Sequence, residues 1–425
     1  MKPKLCLINP PHPYLKDPTA QAPLGLLYVA ASAREQGFEV EFVDLSDKHF
    51  KDYFDLPEAD IYGITGTVLD RTPIHIVAKQ IKKNRRAVIV GGPIALSPEH
   101  LDRKLIDSIV VGEGERIILK ILQDYPRLKP KYVADRIEDL DSLPFPARDL
   151  LGENLGGSVF ANRKVYFEGG STAFVTSRGC PFGCVFCASP KIWGRHIVYR
   201  SPENIVKEID HVVETYGVRQ FRFSDDNVTA NRTRLMKLCE LLKGKQIAWR
   251  ASIRVRPNDY RMFDAMKEAG CTEVCFGIES ADPEVLRTLC KGASVRDNRM
   301  AIVNAHRAGL AVRILFMTGT PGETKKTTEL NMYFLDDLQE YYDTIALTNF
   351  VPLPGTGVAE QPLKYGCEIL DDDIDKFNLC MWGPDGSEND WPHLVRPVGM
   401  TLDDLTKSKR MMRDFVISIG KSNEG

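Results

Sequence analysis

The sequence predicts an α/β protein in two parts, a doubly wound N-terminal domain and a partial (β/α)6 barrel, followed by a short C-terminal extension. Three observations predict it. Short apolar runs alternate with amphipathic runs of helix length from Leu5 to Glu115. The alternation then breaks over a stretch punctuated by proline and glycine. It resumes at Ala173 and continues through six strand-like runs to Asn349. At 425 residues the chain is also too long for one ordinary core.

In order, "KLCLINPP" is a short buried strand ending in a turn, and "PLGLLYVAASAREQG" is an amphipathic helix that stops at Gly37. "FEVEFVDLS" alternates as a strand does. "ADIYGITGTV" runs from strand into a glycine-bearing loop, and "IHIVAKQIKKN" is a helix. "AVIVGGPIALSP" is a strand entering a Gly-Gly loop, and "IDSIVVGEGE" repeats that pattern. Strands separated by helices imply a parallel sheet covered on both faces, with its ligand at the carboxyl ends of the strands. Asn9–His12, Thr65–Leu69, Gly91–Ala95 and Gly112–Glu115 fall there.

From Tyr132 to Gly170 the pattern breaks, in "LDSLPFPARDLL" and "GENLGGSVF". The barrel strands are then Ala173–Thr176, Gln220–Ser224, Ile247–Ile253, Glu273–Ile278, Val312–Met317 and Thr344–Asn349. "SPENIVKEIDHVVETYG" is a helix capped by Ser201 and stopped at Gly217. After Pro354 come the polar loop "GPDGSENDWPH" and a final helix in "TLDDLTKSKRMMRDFVISIG". The expected boundaries are a first domain at 1–135, a linker at 136–170, the barrel at 171–355 and the extension at 356–425.

A net charge of −2 gives no global basic field, so neither nucleic acid nor an anionic membrane surface is an expected partner. Apolar runs such as "LGLLYVAASA" are too short to cross a bilayer. The N-terminus reads as a strand rather than a signal peptide. The expected setting is therefore cytoplasmic and reducing, where the ten cysteines mostly stay thiols.

Cys6, Cys239, Cys271, Cys275 and Cys290 fall in strand or helix patterns and read as small buried side chains. Cys180, Cys184 and Cys187 do not. They lie in "SRGCPFGCVFCASP", a turn-rich loop with Gly179, Pro181 and Gly183, directly after a strand. A structural zinc site takes four ligands, and the usual paired spacing is absent; zinc would need a distant fourth ligand, with His196 the nearest histidine. Thiolates at short spacing suit an iron–sulfur cluster. Three in one loop hold three irons of a cubane and leave the fourth open to a substrate or cofactor.

Cys-x3-Cys-x2-Cys after the first barrel strand, with Phe186 before the last cysteine, resembles the radical S-adenosylmethionine (SAM) enzymes. The resemblance implies a 4Fe-4S cluster on Cys180, Cys184 and Cys187. Its open iron would take the amino and carboxylate groups of SAM, whose reductive cleavage gives a 5′-deoxyadenosyl radical. It also implies SAM contacts from Asp225 and Asp226 in "FRFSDDN", since carboxylates suit the SAM ammonium. The same residues suit a plain turn after a strand. Further SAM-site candidates are Ser252 and Arg254 in "WRASIRVR", Glu279 in "CFGIESAD" and Arg313 in "RILFMTGTPGET". Each arginine also has the plain reading of pairing with a nearby carboxylate. "FVPLPGTG" matches the exit of the sixth strand.

"INPPHPY", "APLGLLYVAA", "YGITGTVLDRTP", "VIVGGPIALSPE" and "VVGEGE" together resemble the cobalamin-binding, Rossmann-like domain that precedes many radical SAM enzymes. With the barrel, the resemblance runs from residue 1 to about residue 355. It implies cobalamin contacts from Pro11, His12, Thr65, Gly66, Thr67, Val68, Leu69, Gly91, Gly92, Gly112, Glu113 and Gly114. A single glycine loop after a strand would equally hold a nucleotide phosphate, but "VVGEGE" lacks the dinucleotide spacing. One departure is informative. The Asp-x-His-x-x-Gly motif, whose histidine ligates cobalt in many cobalamin enzymes, is absent, and His75 in "PIHIVAK" reads as a helix-face residue. The expectation is base-off cobalamin without a histidine ligand, its lower face near Thr65–Leu69.

These resemblances imply a C-methyltransferase that joins a 5′-deoxyadenosyl radical to methylcobalamin to methylate an unactivated carbon. The expected substrate is a peptide or protein side chain or a natural-product intermediate, and the expected partner a flavodoxin- or ferredoxin-type electron donor. Candidates to line the substrate site are His12, Tyr14, Trp193, Tyr199, Trp382 and Trp391. The alternative is a cyclase or rearrangement enzyme using the same cofactors without net methyl transfer. A methylthiotransferase would bring a second cysteine trio in the first domain, where only Cys6 stands. A cofactor sensor has no DNA-binding signature to support it.

Overall fold

The computed structural model describes residues 2–12, 17–19, 22–49, 55–152, 167, 170–378 and 392–421. Tyr14, Trp382, Trp391 and most of the polar loop "GPDGSENDWPH" lie outside the described residues. The chain divides into two compact units: Met1–Val175 with Val198–Arg200 and Glu208–Gln220, and Thr176–Ile197 with Ser201–Lys207 and Phe221–Gly425.

The first unit contains β1 (Leu5–Asn9), α1 (Leu24–Glu35), β2 (Val40–Asp44), β3 (Ile61–Thr65), α2 (Arg71–Lys83), β4 (Ala87–Gly91), β5 (Ser108–Val111), α3 (Gly114–Asp124) and β6 (Lys131–Val133). Its sheet runs β2-β1-β3-β4-β5-β6, with every neighbouring pair parallel. Parallel neighbours need crossovers, which the helices supply. They also bury both faces of the sheet, which is why β1 reads as an unbroken apolar run and all five of its residues are buried. Leu26, Ala30 and Ala33 of α1 and Ile118, Ile121 and Leu122 of α3 share one core with Leu5 and Leu7. Ile74, Val77, Ala78 and Ile81 form the buried stripe of α2.

One element departs from expectation. The sequence pattern ends at Tyr132, whereas Lys131–Val133 forms a sixth parallel strand in register with Ile109, Val110 and Val111. Only Tyr132 of its three side chains points inward, so the segment carries too little periodicity to be seen.

The remaining elements are β7 (Ser171–Phe174), β8 (Ser177–Arg178), α4 (Ser189–Trp193), β9 (Val198–Tyr199), α5 (Pro202–Tyr216), β10 (Gln220–Phe223), α6 (Arg232–Leu242), β11 (Ala248–Ile253), α7 (Tyr260–Glu268), β12 (Cys271–Glu279), α8 (Pro283–Thr288), α9 (Val295–Arg307), β13 (Ala311–Thr318), α10 (Lys325–Asp337) and β14 (Thr344–Asn349). The second sheet has six strands in the order β14-β13-β12-β11-β10-β7, each at its predicted place within a few residues. This is the (β/α)6 arrangement. Along β13 the side chains alternate: Val312, Ile314 and Phe316 are buried, and Arg313, Leu315 and Met317 are half-exposed. The buried face lies under helices, as Trp249 shows by donating its indole N–H to the Ala269 carbonyl at the end of α7, at 2.8 Å. The other face carries the polar residues. Ser201 caps α5 by accepting the Asn204 N–H at 3.1 Å, and Gly217 ends it at φ +70°. The extension adds an antiparallel pair, Cys367–Ile369 with Val395–Pro397, before the final helix Leu402–Ser418.

Two cysteines differ from the buried reading. Cys290 is exposed, because it sits at φ +50° in the turn beyond α8 rather than within the helix. Cys275 is half-buried, on the polar face of β12.

The loop after β13 holds an ionisable group with a large shift. Glu323 is buried and accepts the Thr320 N–H at 2.9 Å and the Thr320 hydroxyl at 3.2 Å. Burial pushes its carboxyl up from 4.5 to about 7. The folded state therefore holds this proton more tightly than the unfolded state does. The stabilisation is complete below about pH 4.5 and is lost as pH rises through about 7. Glu323→Gln, neutral throughout, should flatten the decline of the denaturant midpoint between pH 5 and pH 8; an unchanged slope would contradict this assignment.

Candidate functional site

The loop leaving β8 carries the three clustered cysteines. Gly179 enters it at φ +105°, a conformation that side-chain-bearing residues rarely adopt. The Cys187 N–H donates to the Cys184 carbonyl at 3.2 Å and tightens the turn, while the Val185 N–H donates to the Leu289 carbonyl at 3.2 Å and ties the loop to the end of α8. Cys180 and Cys184 are buried, and Cys187 is half-buried. Burial pushes the Cys180 thiol up, and pushes Cys187 up to about 11, with the Asp226 carboxylate acting in the same direction on both. Both shifts favour the protonated thiol, and a positively charged metal core is what turns such groups into thiolates. Among the described residues no three side chains converge on one metal ion. Thiols at this short spacing suit the corners of an iron–sulfur cluster.

The two adjacent acids have different surroundings. Asp225 is buried and accepts the Thr176 N–H at 2.7 Å, the Thr176 hydroxyl at 2.5 Å and the Ser177 hydroxyl at 2.6 Å. It anchors the backbone that leads into the cysteine loop. Of the two, Asp226 is the exposed acid, and its charge reaches Cys180 and Cys187.

Glu279 ends β12 at φ +65°, in the left-handed region that favours glycine. Its carboxylate accepts the Lys291 ammonium at 2.5 Å, with both groups buried. Lys291 also lies 5.9 Å from the ring centre of Phe186, inside the cysteine loop. Lys291 carries no local sequence signal, since its partners are brought to it only by the fold. Ser252, Cys275, Arg313 and Thr344 lie side by side in one row of the sheet. Ser252 and Arg313 are thus grouped with Cys275 on the polar face rather than in the cysteine loop. Trp193 stacks on Arg178, 5.4 Å from the guanidinium to the ring centre.

In the first unit the chain leaves β1 toward β2 on one side and continues from β3 toward β4 on the other. Such a reversal opens a crevice at the carboxyl ends of β1 and β3. Pro11 and His12 follow β1, and Thr65–Leu69 end and follow β3. His12 Nδ1 pairs with the Asp70 carboxylate at 3.0 Å and so spans the two loops. Asp70 also accepts the Thr67 N–H at 2.7 Å and the Thr67 hydroxyl at 3.0 Å, in a reciprocal cap. Asp70 was not among the expected residues, although Thr67-x-x-Asp70 is a visible capping signal. The Ile94 N–H donates to the Gly66 carbonyl at 3.0 Å and ties in the loop after β4. Gly92 sits at φ +81°, and a Cβ there would lie 2.6 Å from Thr65 Oγ1 and 2.9 Å from the Gly66 carbonyl oxygen. Gly91 ends β4 beside it. Gly112 and Gly114 flank Glu113 at the end of β5, and the Glu113 carboxylate is turned inward to accept the Ile137 N–H. His75 lies on α2 and accepts the Asp102 N–H at 3.1 Å.

A three-thiol loop beside an acidic and a basic group on a (β/α)6 sheet, and a parallel sheet with a switch-point crevice, define an α/β enzyme built for two cofactors. The comparisons with known proteins say which. The radical SAM superfamily profile matches residues 174–332, and the B12 binding domain profile matches residues 18–122. An uncharacterized methyltransferase of Pyrococcus horikoshii, PH0819, is 31% identical over 373 residues, covering 80% of this chain and 78% of that protein. The chain belongs to the cobalamin-dependent radical SAM methyltransferases, whose cofactors are a 4Fe-4S cluster, SAM and cobalamin. The bacteriochlorophyllide d C-12(1)-methyltransferase of Chlorobaculum tepidum is 25% identical over 349 residues, covering 80% of this chain and 73% of that protein. The radical SAM methyltransferase TsrM of Kitasatospora setae, solved with tryptophan substrate and a SAM analogue, shares the fold at a TM-score of 0.71. It is 16% identical, and the match covers 97% of this chain and 89% of that one. Among the described residues no helix is long and apolar enough to cross a membrane.

Proposed function

We propose that this chain methylates an unactivated carbon of a peptide or protein side chain or of a natural-product intermediate. When bound, the cluster and SAM supply a 5′-deoxyadenosyl radical that removes a hydrogen atom, and cobalamin supplies the methyl group. In this reading Cys180, Cys184 and Cys187 each hold one iron, and Asp226 faces the SAM ammonium. Asp225 fixes the start of the loop through its three donors. Glu279, Ser252 and Arg313 line the SAM side of the polar face. Pro11, the Thr65–Leu69 loop and the glycines at the ends of β4 and β5 hold cobalamin.

One observation carries the reading: the three-thiol loop and a parallel sheet with a switch-point crevice stand on one chain. His12 is engaged by Asp70 and His75 by the Asp102 N–H. This supports base-off cobalamin near Thr65–Leu69 without a histidine ligand. Nine described cysteines are free thiols, which supports a reducing, cytoplasmic setting. Anaerobic reconstitution should give a protein whose absorption spectrum shows both cluster and cobalamin bands. With SAM and a flavodoxin- or ferredoxin-type electron donor it should release 5′-deoxyadenosine. Binding of both cofactors with SAM left intact would overturn the radical step.

A further inference from the structure

Arg254, the first residue beyond β11, is a buried cation whose partners are not carboxylates. Its side chain is 8% exposed, and among the described residues no ion pair includes it. One guanidinium nitrogen, Nη1, donates to Cys184 Sγ at 3.1 Å, and Nη2 donates to the Lys291 carbonyl. The guanidinium lies over the Phe182 ring, its central carbon 3.8 Å from the ring centre, and the Arg254 backbone N–H reaches Asn227 Oδ1 at 3.4 Å. Phe182 stands between Cys180 and Cys184 in the same loop. The group is thus held on three sides with an N–H aimed at a sulfur.

Burying a cation without a counter-charge is costly, so such an arrangement is stable only if negative charge arrives beside it. Thiolates that ligate iron bring that charge. Three thiolates leave an oxidised cubane with net negative charge, and reduction by one electron adds another. Asp226, the acid near the cysteines, is exposed and screened by solvent, while Arg254 is buried against the sulfur.

We propose that Arg254 is a positioning residue that raises the reduction potential of the cluster by donating an N–H···S hydrogen bond and a fixed positive charge to Cys184. This rests on the reading of Cys180, Cys184 and Cys187 as cluster ligands. The electron comes from an external one-electron donor, dithionite in the test, and no bond is made or broken at Arg254. Hydrogen bonds to the sulfurs and local charge are among the factors that set such potentials.

The test is a potentiometric titration of the reconstituted protein without SAM, followed by electron paramagnetic resonance, on wild type, Arg254→Met and Arg254→Lys. Arg254→Met should disfavour reduction at least tenfold, a fall in midpoint of about 59 mV for one electron. Arg254→Lys keeps the charge but loses the planar fork, and should fall part of the way. If the methionine variant retains no cluster, the lysine variant decides, and a midpoint equal to wild type would overturn the proposal. Variants with full iron content and unchanged midpoints would overturn the role of Arg254 alone. A wild-type protein that takes up no iron would overturn the ligand reading beneath it.

Discussion

Cys184→Ala should leave a protein that binds cobalamin and holds no cluster, with SAM cleavage reduced to background. In the proposed reading the three thiols of this loop are the protein's ligands to the cluster, so losing one leaves two corners of the cubane held. The variant removes the sulfur that Arg254 faces at 3.1 Å and leaves that cation buried without its acceptor. The packing cost is small, about 1 kcal/mol for a group the size of a thiol, so the barrel should still fold. The residues assigned to cobalamin lie on other loops, at the ends of β1, β3, β4 and β5. The absorption spectrum and iron content after anaerobic reconstitution check this directly. Loss of both sets of bands would contradict separate sites for the two cofactors.

Glu208→Ala should destabilise the first unit by about 3–5 kcal/mol, because it strips the shared carboxylate from two buried guanidinium groups. Glu208 is fully buried on α5; Arg148 binds one carboxylate oxygen at 2.6 Å and Arg200 binds the other. Arg148 also donates to the Ala173 carbonyl at 2.8 Å and lies 4.8 Å from the Phe174 ring centre. Arg200 donates to the Val175 carbonyl at 3.1 Å. One carboxylate therefore joins α5 to the segments around Arg148 and Arg200. Without it, two cations remain at 2% and 3% exposure, and each loses its hydrogen-bonded carboxylate. The midpoint of the first denaturant transition, measured against wild type at fixed pH and salt, reads the effect. A shift equivalent to less than 1 kcal/mol would mean that water reaches the site when the carboxylate is removed.

The repeating elements were legible in the sequence because burial writes them there. The strands of both sheets are short β-branched or aromatic runs, and the barrel strands carry alternation that survives in the burial of β13. The cysteine loop was legible because its spacing is local. What escaped depends on contacts across the chain. Asp225 and Asp226 are neighbours with the same side chain, and only the Thr176 and Ser177 donors make the first an anchor. Arg254 was legible as a SAM-site candidate, but its contact with a sulfur 70 positions away was not. Cys290 belongs to a helical pattern by composition, but its left-handed backbone turns it outward. The Cys367–Ile369 and Val395–Pro397 pair is too short and too widely separated to give a hairpin signal. Pairing of His12 with Asp70 likewise appears only when β1 and β3 lie side by side.

The most direct test of the central claim uses SAM labelled in its methyl group. The reconstituted wild-type protein, with a one-electron donor, cobalamin and candidate substrates, should yield a product carrying the labelled methyl on carbon, together with 5′-deoxyadenosine, and Cys184→Ala should yield neither. Formation of 5′-deoxyadenosine with a product that is altered but unmethylated would contradict the claim and assign the chain to the cyclases and rearrangement enzymes instead.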